Sequence, residues 1–231
     1  MGYTKTIICL ANSYKPPSGL CVAGIELLPG GRYGGWIRPV SARATSEVAF
    51  TESIYHGGAS PKLLDIIEVP LLRAEPRSHQ SENHVLDAAN WWIKKGEFSW
   101  SELEHLRQSP PSLWVDSDHT LSGSYDCLSR SEAAGLKNSL FLIRMSRFAV
   151  QVGSNSRDGV ARKTYRGCFD YKGVRHSLSV TDPVAQSVFS SKGAVEYSLL
   201  NVYACISLTL PFRKDGRCHK LIASIITNPP L

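Results

Sequence analysis

The apolar residues of this chain come in short bursts. The longest runs, such as Ile7–Ala11 and Leu140–Ile143, are four or five residues long. That is strand length, far below the ~20 residues a membrane-spanning helix needs. Turn-forming clusters separate the bursts: Pro16-Pro17-Ser18-Gly19, Pro29-Gly30-Gly31, His56-Gly57-Gly58, Lys172-Gly173 and Asp215-Gly216. Proline presets φ there and glycine tolerates positive φ, so the chain reverses often. Short strands closed by frequent turns point to small barrels or sandwiches rather than a helical fold.

The 231 residues, 42% of them apolar, are enough for a real core and exclude a disordered chain. Periodicity and charge divide the sequence into three parts. Residues 1–77 carry 8 Lys+Arg and 6 Asp+Glu, 78–136 carry 4 and 9, and 137–231 carry 14 and 5. In the first part Lys5–Ser13, Leu20–Leu28, Gly35–Ser41 and Leu63–Leu72 read as strands. In the third, Phe148, Val150 and Val152 alternate, as do Val202, Ala204, Ile206, Leu208 and Leu210. Lys163–Tyr171, Val174–Val180 and Lys220–Ile226 are further strand runs. The acidic middle reads as a helical connector: Val85, Ala89, Trp92 and Ile93 recur at helical spacing. Ser99-x-x-Glu102 and Ser129-x-x-Glu132 are capping boxes. The expected fold is mainly β, with two small OB-like β-barrels (1–77 and 137–231, the second basic) joined by the acidic helical connector at 78–136. Gly19-x-Cys21 against Gly216-x-Cys218 is a slight hint of a diverged duplication.

The stretches KTIICLANSYKPPSGLCVAGIEL (5–27), GGWIRPVS (34–41) and LTLPFRKDGRCHKLIASII (208–226) resemble the dual OB-containing domain family of bacteria and phages. The resemblance implies two OB-like barrels in tandem and a nucleic-acid role near mobile-element or defence genes. It brings no catalytic residues with it.

The densest functional signal is basic. Arg144, Arg147, Arg157, Arg162, Lys163, Arg166, Lys172 and Arg175 lie close together, with Tyr165, Phe169 and Tyr171 interleaved. Single-strand binders combine cations that track phosphates with rings that stack on bases, at ~1–3 kcal/mol per base. Alternation puts Lys163, Tyr165, Phe169 and Tyr171 on one strand face. It turns Val174, Leu178 and Val180 to the core and Arg175 outward. The competing reading makes Phe169 and a tyrosine core and the cations a solvated face. Gly153–Ala161 reads as a loop that closes over a strand, or as a long hairpin. In the first part Trp36 and Arg38, with Asn12 at the end of the first strand, are candidate contacts. Arg38 suits a phosphate or carboxylate; the alternative pairs it with a carboxylate such as Glu26 and puts Trp36 in the core.

Other constellations are weaker. Gly31-Arg32-Tyr33-Gly34 fits a GxxG loop, but between strands, where a hairpin is the simpler reading. Walker A and GxGxxG motifs do not occur. His79 and His84 would point about 140° apart on a helix, at about 100° per residue, so no metal site is expected. Cys9, Cys21 and Cys205 sit in strand runs. Cys218 and His219 are consecutive and so face opposite ways, which argues against a Cys–His nucleophile. The six cysteines lack a CxxC pair and read as reduced core thiols. Met1-Gly2…Thr6 fits the loose myristoylation pattern, yet Gly2 leads straight into a strand. The N-terminal run is too short for a secretory signal.

The expectation is therefore a cytoplasmic, non-enzymatic nucleic-acid-binding module with no cofactor, no metal and no membrane contact. A protein-interaction adaptor using the acidic segment, or a nucleotide or small-anion sensor, are the alternatives.

Overall fold

In the computed structural model, which describes residues 2–15, 19–43, 45–157 and 160–231, both ends of the chain are built from strands. Contacts group the residues into two compact units: Met1–Leu106 with Lys137–Ser139, and Arg107–Leu136 with Leu140–Leu231.

The first unit contains β1 (Tyr3–Lys15), β2 (Gly19–Leu28), β3 (Arg32–Val40), β4 (Asp65–Ala74), β5 (Asn83–Leu86) and β6 (Ile93–Glu97). The antiparallel ladders β1–β2 and β2–β3 lead into a parallel ladder between β3 and β5. The ladders β5–β4 and β4–β1 then return to the start, and β6 adds to β4. In the second unit β7 (Cys127–Leu128) precedes β8 (Leu140–Arg157), β9 (Val160–Tyr171), β10 (Val174–Val180), β11 (Glu196–Leu208) and β12 (Cys218–Ile226). Its ladders run β8–β9–β10–β12–β11–β8, again with one parallel pair, β10–β12, and β7 adds to β12. Both units thus show the same five-stranded circuit, 1-2-3-5-4-1. The repeat lies in topology, not in the glycine–cysteine pairs: Gly19-x-Cys21 opens β2, the second strand of one circuit, and Gly216-x-Cys218 opens β12, the fifth of the other.

Each circuit needs a glycine in its second strand. A Cβ on Gly24 of β2 would lie 2.1 Å from the Ile8 carbonyl oxygen; on Gly167 of β9 it would lie 2.1 Å from Ile222 Cδ1 and 2.5 Å from Phe148 Cζ. The strands close up at these points only because no side chain stands between them. Ile7, Val22, Ile67, Val69 and Trp92 centre the first core; Phe148, Phe169, Leu178, Ile206 and Ile222 centre the second. Between third and fourth strands the second unit has α2 (Pro183–Ser190), which sinks Ala185 and Phe189 into that core. Among the described residues the first unit has a single turn there, Phe50–Glu52.

The helical connector is corrected. Val85 lies in β5 and Ile93 in β6. The Asp87 carboxylate accepts hydrogen bonds from the Ala89 N–H (3.1 Å) and the Asn90 amide (2.9 Å), making a turn between them. The apparent helical period is set by the length of that turn. The caps are real, but what they start is short. Ser99 opens a six-residue 3-10 segment, Trp100–His105. Ser129 and Glu132 form a full capping box on α1 (Arg130–Ala134). All six cysteines are free thiols, Cys21 partly exposed and the rest buried.

Candidate nucleic-acid interface

The two-residue turn at Lys172-Gly173, with both residues at positive φ, sets the register of the β9–β10 hairpin. Tyr171 stands opposite Val174, Phe169 opposite His176 and Gly167 opposite Leu178. As Leu178 and His176 are buried, the row through Tyr165, Phe169 and Tyr171 is the inner one. Phe169 stacks between Phe148 (5.9 Å) and His176 (5.4 Å). The Tyr171 hydroxyl donates to the Pro110 carbonyl at 2.6 Å, and burial pushes its pKa up. Tyr165 is half-buried against the same core. Phe169 and Tyr171 are core residues, which corrects that part of the candidate site; Tyr165 is only half-buried and lines a polar hollow.

Two of the cations are tied down by hydrogen bonds within the unit, Arg166 half-buried and Lys163 still exposed. Lys163 donates to the carbonyls of Ser190 (2.6 Å) and Lys192 (2.8 Å), where a cation favours the negative end of α2. Arg166 pairs with the Asp126 carboxylate at 2.7 Å and donates to Ser177 Oγ at 3.0 Å and Ser179 Oγ at 3.3 Å. Burial alone would raise the Asp126 pKa. The Thr120 N–H and hydroxyl, each at 2.7 Å, and Arg166 outweigh it and hold the carboxyl below its usual range. Around Lys163 and Arg166 lies a polar hollow of about 470 Å³ lined also by Asn155, Thr164, Ser179 and Gln186.

The other cations face solvent. Arg147 and Arg162 are exposed, and Lys172 is exposed on the hairpin turn. Arg175 is exposed and meets Asp170 at 3.0 Å, a surface pair of small energetic weight. Arg144 is exposed and stands 5.7 Å from the Tyr203 ring centre. The Arg157 side chain and the tip at 158–159 lie outside the described residues; on either side of the tip Gly153–Arg157 and Val160–Ala161 continue a paired hairpin.

The first unit's candidates turn inward. Asn12 donates to the Pro61 carbonyl at 2.9 Å and so braces a loop. Arg38 is only 2% exposed; its Nη2 lies 3.1 Å from Glu82 Oε1 and 2.9 Å from Ser139 Oγ, and the Ser139 hydroxyl donates to Glu82. Arg38 is thus a buried structural cation, with Glu82 as partner where Glu26 was the alternative; Glu26 binds Lys5 at 2.7 Å. Trp36 is half-buried.

Sequence reasoning passed over the loop joining β11 and β12. Phe212, Arg213 and Lys214 are all exposed there, Phe212 by 51%, its ring edge-on to His219 at 5.5 Å. The available signal was an aromatic beside two cations just before the Asp215-Gly216 turn. Among the described residues, no group of three or more His, Cys, Asp or Glu is placed to hold a metal ion, and no helix is long and apolar enough to cross a membrane.

Two mainly β units, each with the 1-2-3-5-4-1 circuit, have the strand order of an OB-fold binding module. The model of the dual OB-containing domain family matches residues 5–225, nearly the whole chain, and the chain belongs to that family. No curated protein matches it.

Proposed function

We propose that the protein is a non-enzymatic nucleic-acid-binding module whose second unit, an OB-type barrel, supplies the contact surface. The charge distribution carries this reading. The first unit holds 11 Lys+Arg and 11 Asp+Glu, whereas the second holds 15 and 9, so the entire +6 belongs to the second. OB folds bind oligonucleotides on the face of their second and third strands and on the loops between strands 1–2 and 4–5. The matching elements here present Arg162, Lys172 and Arg175, together with Phe212, Arg213 and Lys214. Arg144 and Arg147 extend the set along β8. A setting in bacterial or phage defence is part of the same proposal and rests on family likeness alone. The adaptor reading has less support, because four of the nine acids in its segment are engaged within their own units. Glu82 pairs with Arg38, Asp116 with Lys220, Asp118 with Arg217 and Asp126 with Arg166.

Fluorescence anisotropy with labelled single-stranded DNA and RNA tests the proposal. Binding is expected at ~50 mM salt and falls as salt rises, with a log–log slope of about 0.7 per phosphate contact. The triple variant R147E/R162E/R175E should lose at least ~10-fold in affinity, since several phosphate contacts go at once. R32E, in the charge-balanced unit, should stay within about two-fold because it lies off the contact surface. No binding to either oligomer at ~50 mM salt, where phosphate contacts are strongest, overturns the reading.

A further inference from the structure

One hollow of the first unit has chemistry opposite to that of the basic surface. It is an open hollow of about 730 Å³, within the range of small-molecule sites. Its wall is made by a local device. Tyr55 and Trp92 form a parallel bridge and are both buried, which turns their neighbours His56 and Trp91 outward. The two outward rings meet at right angles (88°, centres 6.4 Å apart), and Trp91 is left 54% exposed on a buried anchor. Ile93 (46% exposed) and Tyr3 continue the apolar wall. Tyr3 is fixed by its hydroxyl against His84 Nδ1 at 2.5 Å.

The charged groups lining this wall are carboxylates, Glu68 and Asp87. Glu68 has Lys95 at 3.2 Å. Asp87 has no cation partner among the described residues. Its oxygens are oriented by the Ala89 N–H and the Asn90 amide, and its own N–H is held by the Pro70 carbonyl at 3.0 Å. An aromatic corner beside a fixed carboxylate that has no cation partner among the described residues attracts a positive, poorly hydrated group. The ring faces offer negative potential and apolar contact, and the carboxylate offers charge. The same carboxylates repel phosphate.

We propose that the first unit holds a small-molecule site for an organic cation of the alkylammonium class, its charged head at Asp87 and its apolar body against Trp91 and His56. This site is independent of the nucleic-acid surface.

The test is a titration of the full-length protein with choline, followed by the Trp91 indole N–H signal in two-dimensional NMR. Trp91→Phe assigns the signal among the five tryptophans. A saturable shift is expected with choline. Its uncharged isostere 3,3-dimethylbutan-1-ol should bind at least 10-fold more weakly. Trp91→Ala should abolish choline binding, read on the remaining ligand signals, and Asp87→Asn should weaken it at least five-fold, with the other indole signals in place to show an intact fold. No saturable shift, equal binding of the neutral isostere, or full affinity in Asp87→Asn each overturns the proposal. Nucleoside binding in place of choline would also overturn it, whereas the oligonucleotide affinity of the Trp91→Ala protein should be unchanged.

Discussion

Two units with one strand circuit solve the same folding problem and then part company. The first is charge-balanced, spends its candidate cation Arg38 inside, and leaves aromatic rings beside carboxylates on its surface. The second carries all of the net charge, spends its aromatic row inside, and leaves cations outside. The inner row of a closed circuit must be apolar wherever it falls, so what differs between two copies is the outer row and the loops. The strand order therefore says little about ligands, and the outward residues say much.

Both units also bury an ion pair, and the largest effects are expected there. Arg38 and Glu82 are 2% and 6% exposed; in the second unit Lys220 is fully buried, with Asp116 at 2.6 Å. Removing one partner of such a pair strands a desolvated charge, at about 3–5 kcal/mol. Glu82→Ala and Asp116→Ala should each lower stability by about that amount in urea denaturation. Asp116 keeps some contact with water, its side chain being 15% exposed, so its loss should be the milder. A loss below about 1 kcal/mol in either would mean that water reaches the remaining charge.

Much of this architecture was legible because long strands write their period into the sequence. β1, β2, β4, β8 and β11 span 10 to 18 residues each, long enough for alternation to show. β5, β6 and β7 have four, five and two residues, and nothing periodic can be seen in so few. Nor does any local signal announce that β5 lies parallel to β3, the pairing that closes the circuit. In the candidate site, alternation gives the parity of Tyr165, Phe169 and Tyr171 but does not by itself say which way that face points. The sequence held the correction: a two-residue turn puts Tyr171 opposite Val174, on the face already assigned to the core. Arg38 offered no such clue, since its partner Glu82 is 44 positions away.

The connection between third and fourth strands should separate the units by a smaller margin. In the second unit Asp182 caps α2, accepting from the N–H groups of Val184 (2.8 Å) and Ala185 (3.2 Å), and its other oxygen accepts from Ile225 N–H at 2.9 Å. Pro183 at the start of the helix suits the same end, since its missing N–H is not needed there. Asp182→Ala removes a cap and leaves a buried donor on β12 unpaired, at about 2 kcal/mol. In the first unit Glu52 plays a thinner part, holding Ala49 N–H at 2.9 Å and the exposed Arg43. Glu52→Ala should cost about 0.5 kcal/mol. Equal losses, measured side by side in urea, would remove the distinction between a docked helix and a single turn.

The smallest expected effect is a slope with pH. His176 is fully buried between the Phe169 and Tyr125 rings, with Asp116 no closer than 3.9 Å. Burial lowers its pKa, against the pull of Asp116 and with help from Lys220. A histidine whose folded pKa is depressed takes up its proton more readily unfolded. Stability is then full above the unfolded value, about 6.5, and declines as pH falls from there toward the folded value. His84 in the first unit is shifted in the same direction, by burial first and by Lys5 next, but it keeps its bond to Tyr3 and is only partly buried. Replacing His176 with Phe should therefore flatten the fall in melting temperature between about pH 7 and pH 5 more than replacing His84 does. If His84→Phe flattens it as much, partial burial beside Lys5 depresses a histidine as strongly as full enclosure between two rings, and the units are alike in acid as well as in topology.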